Sequence, residues 1–159
     1  MLVSEVLSEA SSKLKVAGVT SATVDAELLA CFCLAISRSE LQLLVATKSE
    51  FPVQHLVQFQ EILARRVSRE PLQHITGTAP FRHLELKVGP GVFTPRPETE
   101  QVVGYAMEKI QKFPNPLIVD LCSGSGAIAI SLATEISPSK VIAVELSKDA
   151  FGYLLQNAA

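Results

Sequence analysis

Along residues 1–70 the apolar positions recur at steps of three and four, and after Pro71 they begin to alternate. Val3, Val6 or Leu7, Ala10, Leu14 and Ala17 mark one stripe of a first helix, which Gly18 ends. A second helix is expected over residues 24–36, with Leu28, Leu29, Phe32 and Ile36 inward. Ser37-Arg38-Ser39-Glu40 fits a capping box: the Ser37 hydroxyl caps a backbone N–H and Glu40 reaches back. It opens a third helix through Ala46. Pro52 suits a first helical position, and Leu56, Phe59, Leu63 and Val67 carry a fourth stripe to about Ser68. Helices striped in this way predict a small bundle.

In residues 81–88, Leu84, Leu86 and Val88 fall on one face and His83, Glu85 and Lys87 on the other, as in a half-exposed strand. Gly89-Pro90-Gly91 reads as a turn and Val92-Phe93-Thr94 as a short return strand, so residues 81–94 form an expected hairpin. Pro97 can open a helix whose positive N-terminus suits Glu98 and Glu100. It runs to about Lys112, where Pro114 and Pro116 stop it. A β-α-β-α pattern follows. Leu117-Ile118-Val119-Asp120-Leu121 and Val141-Ile142-Ala143-Val144-Glu145 read as strands buried on both faces. A glycine turn at 123–126 leads into a helix over residues 127–136, and another helix starts at Lys148.

Hydrophobic residues make up 48% of the 159, which excludes a disordered chain, and the net charge of -2 points to no general nucleic-acid or membrane surface. Apolar runs break well before 18 residues, so no membrane span is expected. The start, Met1-Leu2-Val3-Ser4-Glu5, lacks the basic segment of a signal peptide. Cys31, Cys33 and Cys122 read as reduced, and no cluster completes a metal site; a cytoplasmic location is expected.

The strongest candidate site is Asp120-Leu121-Cys122-Ser123-Gly124-Ser125-Gly126, with Glu145 behind it. Gly124 and Gly126 let the backbone turn sharply and let a ligand lie on it. Glu145 closes the second strand, where a carboxylate can accept from both hydroxyls of a ribose. The expected ligand is an adenosine-type nucleotide. The competing reading is that the glycines serve only strand–helix packing and Glu145 is a solvated strand end. Gly124-Ser125-Gly126-Ala127-Ile128-Ala129 also fits the G-x-G-x-x-A fingerprint of NAD-binding folds, although a helical bundle, a hairpin and a helix ahead of it favour a methyltransferase.

Asp120 to Gly126 resembles the first motif of class I methyltransferases, D-L-G-T-G-S-G. Cys122 and Ser123 stand where that motif has Gly and Thr. Ser keeps the hydroxyl, and Cys requires that its position not need a positive φ. Thr94-Pro95-Arg96-Pro97-Glu98-Thr99-Glu100 resembles the I-P-R-P-E-T-E segment of the HemK/PrmC family, which modifies peptide chain release factors. The stretch from Arg65-Arg66 through Glu70-Pro71-Leu72-Gln73-His74-Ile75-Thr76-Gly77 is similar to that family's A-R-R-x-x-x-E-P-L-x-Y-I-x-G. Asp25-Ala26-Glu27-Leu28-Leu29 resembles its N-terminal helical domain.

The resemblance implies an α/β protein: an N-terminal helical release-factor-binding domain over 1–72, a β-hairpin linker over 73–97, and the start of a class I, Rossmann-like methyltransferase domain over 98–159. It implies S-adenosyl-L-methionine as cofactor, with Cys122, Ser123, Gly124, Ser125 and Gly126 cradling its methionine end and Glu145 its ribose. The implied reaction is N5-methylation of the glutamine in the Gly-Gly-Gln tip of release factors. Neither membrane nor direct nucleic-acid binding is implied. The family's Asn-Pro-Pro-Tyr motif, which holds the target amide, is absent, so the chain is expected to stop short of the catalytic residues. Two other readings remain: another methyltransferase with a protein or RNA substrate, and a fragment that only binds a release factor. Arg65, Arg66 and Arg69 read either as a solvated helix end or as a contact to a release factor or ribosomal RNA. Arg96, pinned between prolines, lies near cofactor or substrate or pairs with a local acid. His55, His74 and His83 fit no nucleophile–base pattern.

Overall fold

The computed structural model describes residues 1–137 and 139–159. The chain is mixed α/β and divides into two compact units, Met1–Thr76 and Gly77–Ala159.

The first unit is helical: α1 (Val3–Val16), α2 (Ala22–Leu34), α3 (Arg38–Ala46), α4 (Val53–Val67) and the short α5 (Leu72–Thr76). The α1 stripe lies as the spacing predicts, with Val3, Val6, Ala10 and Leu14 buried, and Gly18 takes the left-handed φ of 74° just past its end. The capping box at α3 forms: the Glu40 N–H donates to Ser37 Oγ at 3.2 Å, and the Ser37 N–H donates to Glu40 Oε2 at 2.7 Å. The inward face of α2 differs from expectation. Leu29 is buried together with Ala22, Asp25, Ala26, Ala30 and Cys33, whereas Leu28 is only half-buried and Phe32 is exposed. This helix is apolar on nearly every side, so spacing alone does not select a face. Contact with both α1 and α4 selects the small residues, which allow close approach. Phe51 and Phe59, both buried, close the core with ring centroids 5.3 Å apart.

The three arginines around the C-terminal end of α4, Arg65, Arg66 and Arg69, each bond within the unit. Arg66 Nε donates to Asp25 Oδ2 at 2.7 Å, with both side chains largely buried. Ser21 Oγ donates to the other Asp25 oxygen at 2.8 Å, and Arg66 Nη1 donates to the Glu70 carbonyl. Arg65 forks onto the Glu70 carboxylate, and Arg69 donates to the Gly18 carbonyl. Arg66 is therefore a largely buried tether, while Arg65 and Arg69 bond within the unit from exposed positions at the helix end. Removing one partner of a buried pair strands the other charge. Arg66→Ala is expected to cost about 3 kcal/mol. Arg65→Ala, at an exposed pair, is expected to cost less than about 1 kcal/mol. Urea denaturation of the two variants checks this, and equal losses would contradict it.

The second unit contains the hairpin β1 (Thr78–Phe81) and β2 (Leu84–Lys87), then α6 (Pro97–Ile110), β3 (Leu117–Leu121), α7 (Ala127–Glu135), β4 (Lys140–Val144) and α8 (Lys148–Ala158). The hairpin is not the expected one. The alternating strand pairs backwards with Thr78–Phe81 through a two-residue turn at Arg82-His83, and 92–94 is not a strand. Pro80 hid β1, because it has no N–H for a ladder and breaks a strand pattern. Arg82 supplies the left-handed φ of 51° that a tight hairpin turn favours. Its guanidinium forks onto Glu135 at 2.6 and 2.7 Å, and its backbone N–H donates to Glu100 Oε1. Val92 is buried beside Ala79, Val88 and Ala150, while Phe93 stands exposed.

β3 and β4 pair in parallel from Leu117↔Lys140 to Leu121↔Val144. Ile118 and Val141 pack on the core with Val103, Ala127 and Leu132. The other face, with Leu117, Val119, Leu121, Ile142 and Val144, is exposed, so the expected burial on both faces does not hold among the described residues. No single helix among them is long and apolar enough to cross a membrane.

Candidate functional site

The chain leaves β3 and enters α7 through five residues, three of them left-handed: Cys122 at φ 62°, Gly124 at 57° and Gly126 at 86°. Ser123 splices this turn onto the end of β4. Its N–H donates to the Val144 carbonyl at 3.0 Å, its Oγ accepts from the Val144 N–H at 3.1 Å, and the same hydroxyl donates to the Asp120 carbonyl at 3.0 Å. The Gly126 N–H closes the turn on the Ser123 carbonyl at 2.8 Å.

Glu145, the first residue past β4, lies against the turn. Its Oε2 accepts from the Gly124 N–H and its Oε1 from the Ser147 N–H, both at 2.8 Å. The Ser147 and Gly124 N–H groups hold its carboxyl below the usual range. The structure thus gathers Cys122, Ser123, Gly124, Ser125, Gly126 and Glu145 at the carboxyl ends of two parallel strands, where ligands of open α/β sheets bind.

The two glycines have different jobs. A Cβ on Gly126 would lie 2.6 Å from Leu154 Cδ1 and 2.8 Å from Ile130 Cδ1, so that glycine serves helix packing. A Cβ on Gly124 would meet nothing within 4 Å. Open space above a bare backbone, with a carboxylate beside it, is what a ligand that lies on the chain needs. Packing therefore calls for glycine at 126, whereas at 124 the left-handed φ of 57° calls for it and the space beside it is open.

Asp120 belongs with this group although no role was read for its side chain in the sequence. Its Oδ2 is buried without a hydrogen-bond partner among the described residues. Burial raises its carboxyl above the usual range, against hydrogen bonds from Ser123 and the Ala129 N–H. Its place in the motif was the available signal. Arg96 precedes α6, exposed, and pairs with no acid among the described residues.

Cys122 departs from expectation. Its position does require a positive φ, and its thiol is exposed. A Cβ in that region crowds the backbone carbonyl at a cost of roughly 1–2 kcal/mol, offset here by the bonds that fix Ser123 next to it. Cys122→Gly removes this strain while adding freedom to the unfolded chain. The expected net gain is roughly 0.5–1 kcal/mol. Thermal denaturation reads it as a higher Tm, and a lower Tm would contradict the strain.

Fold and site define the class coarsely: a mixed α/β chain with a helical first unit and a parallel β-α-β segment whose glycine turn faces open space at Gly124. Residues 5–77 match the family model of the PrmC N-terminal domain. The chain is 49% identical over 159 residues to a release factor glutamine methyltransferase of Streptomyces coelicolor, covering 99% of this chain and 54% of that protein. To the one of Bifidobacterium longum it is 42% identical over 160 residues, covering 99% and 54%. It is also 34% identical over 161 residues to a 4-amino-L-phenylalanine/4-methylamino-L-phenylalanine methyltransferase of Streptomyces pristinaespiralis, covering 97% and 53%. Residues 5–77 thus carry a PrmC N-terminal domain, and over its length the chain is similar to release factor glutamine methyltransferases, spanning about half the length of the curated relatives it matches.

Proposed function

We propose that this chain holds S-adenosyl-L-methionine as the cofactor-binding part of a methyltransferase that modifies the glutamine of the release factors' Gly-Gly-Gln tip at N5. The observation that carries the cofactor reading is the pairing of Glu145 with the Gly124 N–H beside open space. Cys122, Ser123, Gly124, Ser125 and Gly126 cradle the methionine end. Glu145 receives the ribose hydroxyls: each of its oxygens takes one N–H, and each retains a lone pair. The bound cofactor supplies an electrophilic methyl group.

The domain assignment follows the same reading: 1–72 grips the release factor, 73–97 is the hairpin linker, and 98–159 begins a Rossmann-like methyltransferase domain. The protein works in the cytoplasm, with no membrane or direct nucleic-acid contact. A neutral amide is a poor nucleophile and must be oriented on the methyl with its N–H groups held. No residue of this chain is assigned to that task. A different methyltransferase substrate is the second reading. It is favoured by the relative named for an amino-phenylalanine, which matches this chain over nearly the same residues.

Calorimetric titration with S-adenosylmethionine, with NAD in parallel, tests the cofactor. Binding of the former alone is expected, and binding of NAD alone would reverse the assignment. Glu145→Ala should weaken binding by about tenfold or more, and an unchanged affinity removes the ribose role. The pH course carries a sign. A carboxyl held below its usual range stays an ionised acceptor as pH falls to that range and loses it only below. Affinity should therefore stay flat between about pH 8 and about pH 5.

A further inference from the structure

The last turn of α8 carries one side chain that reaches two other segments. Asn157 Oδ1 accepts from the Lys87 N–H at 2.7 Å, and its Nδ2 donates to the Lys87 carbonyl at 3.0 Å. Its amide thus pairs with the last residue of β2 as a neighbouring strand would. The same Nδ2 donates to the Ser125 carbonyl at 2.9 Å. Neither amide position is left to chance, since each donor and the acceptor has a partner.

The third bond sets the glycine turn. In a trans peptide the C=O and the next N–H point in opposite directions. Asn157 holds the Ser125 carbonyl from one side, and the Ser123 carbonyl holds the Gly126 N–H from the other. The Ser125–Gly126 peptide plane is therefore fixed at both ends. Its orientation sets the φ of 86° at Gly126 and, through the short chain before it, the direction in which Gly124 presents its N–H. Leu154, one turn earlier on α8, packs where a Gly126 Cβ would be and holds the helix over the turn.

We infer that Asn157 is a positioning residue for the cofactor turn, acting through the Ser125 carbonyl without touching the cofactor. This rests on the proposed cofactor site, and the test separates the two. Asn157→Asp keeps an acceptor for the Lys87 N–H but loses the Nδ2 donor to both the Ser125 and the Lys87 carbonyls. Asn157→Ala loses all three bonds. Gln156→Ala, whose side chain bonds only within α8, is the control. Amide hydrogen exchange of the whole chain reads the turn with no ligand present, and calorimetry reads S-adenosylmethionine affinity.

In Asn157→Asp the Gly126 amide should exchange about tenfold faster and affinity should fall about tenfold. Exchange at Leu86 and in Met1–Thr76 should not change, and the control should behave as wild type. A folded Asn157→Asp chain with wild-type exchange at Gly126 and wild-type affinity overturns the inference. Unfolding of both Asn157 variants also overturns it, since the side chain would then serve stability of the unit alone. If wild type binds no S-adenosylmethionine while Gly126 exchange still responds, the cofactor reading falls and the hold on the turn stands.

Discussion

Between Leu121 and Ala127 the backbone must leave a parallel strand and enter a helix within five residues, and three of the five are left-handed. That constraint organises the second unit. Glycine meets it at 124 and 126 without a Cβ penalty, while Cys122 meets it under strain. Ser123 locks the turn to β4 through two hydrogen bonds with Val144 and to β3 through one with the Asp120 carbonyl, so the end of the sheet and the start of α7 are one construction. The turn leaves the Gly124 N–H pointing out of the protein's own ladder, and Glu145 takes it. A carboxylate and a bare backbone side by side follow from the turn, and the proposed cofactor site follows from them.

The first unit rests on a different interaction, the pair of Asp25 with Arg66 across 41 residues. The two stretches that resemble the family most in this unit, around Asp25 and around Arg65-Arg66, meet in it. A buried ion pair contributes little stability in itself, but loss of either partner leaves a desolvated charge. Residue identity at these positions is thus tied to the bundle, and it does not by itself mark a recognition surface.

What was legible in the sequence depended on how local the cause was. The α1 stripe, the Ser37–Glu40 box and the strand–glycine turn–helix are set by neighbours in sequence, and each lies where the pattern put it within a residue or two. The side chain of Glu145 reaches the turn because parallel pairing aligns the carboxyl ends of β3 and β4. Apart from Pro80, which lies inside the strand it hid, the errors have non-local causes. Pro80 disguised β1. The inward face of α2 is chosen by its neighbouring helices. The left-handed state of Cys122 is imposed by how Ser123 bonds to β4, which no spacing reveals. Asn157 gave no signal either, since an amide in the last turn of a helix is ordinary until its partners at Lys87 and Ser125 are seen.

The most direct measurement of the central claim is a two-dimensional amide NMR titration of the whole chain with S-adenosylmethionine. The account predicts shifts concentrated at Gly124, Ser125, Gly126, Glu145 and Leu146, with Met1–Thr76 unmoved. Saturable shifts confined to Met1–Thr76, or none at the turn at saturating ligand, would contradict it.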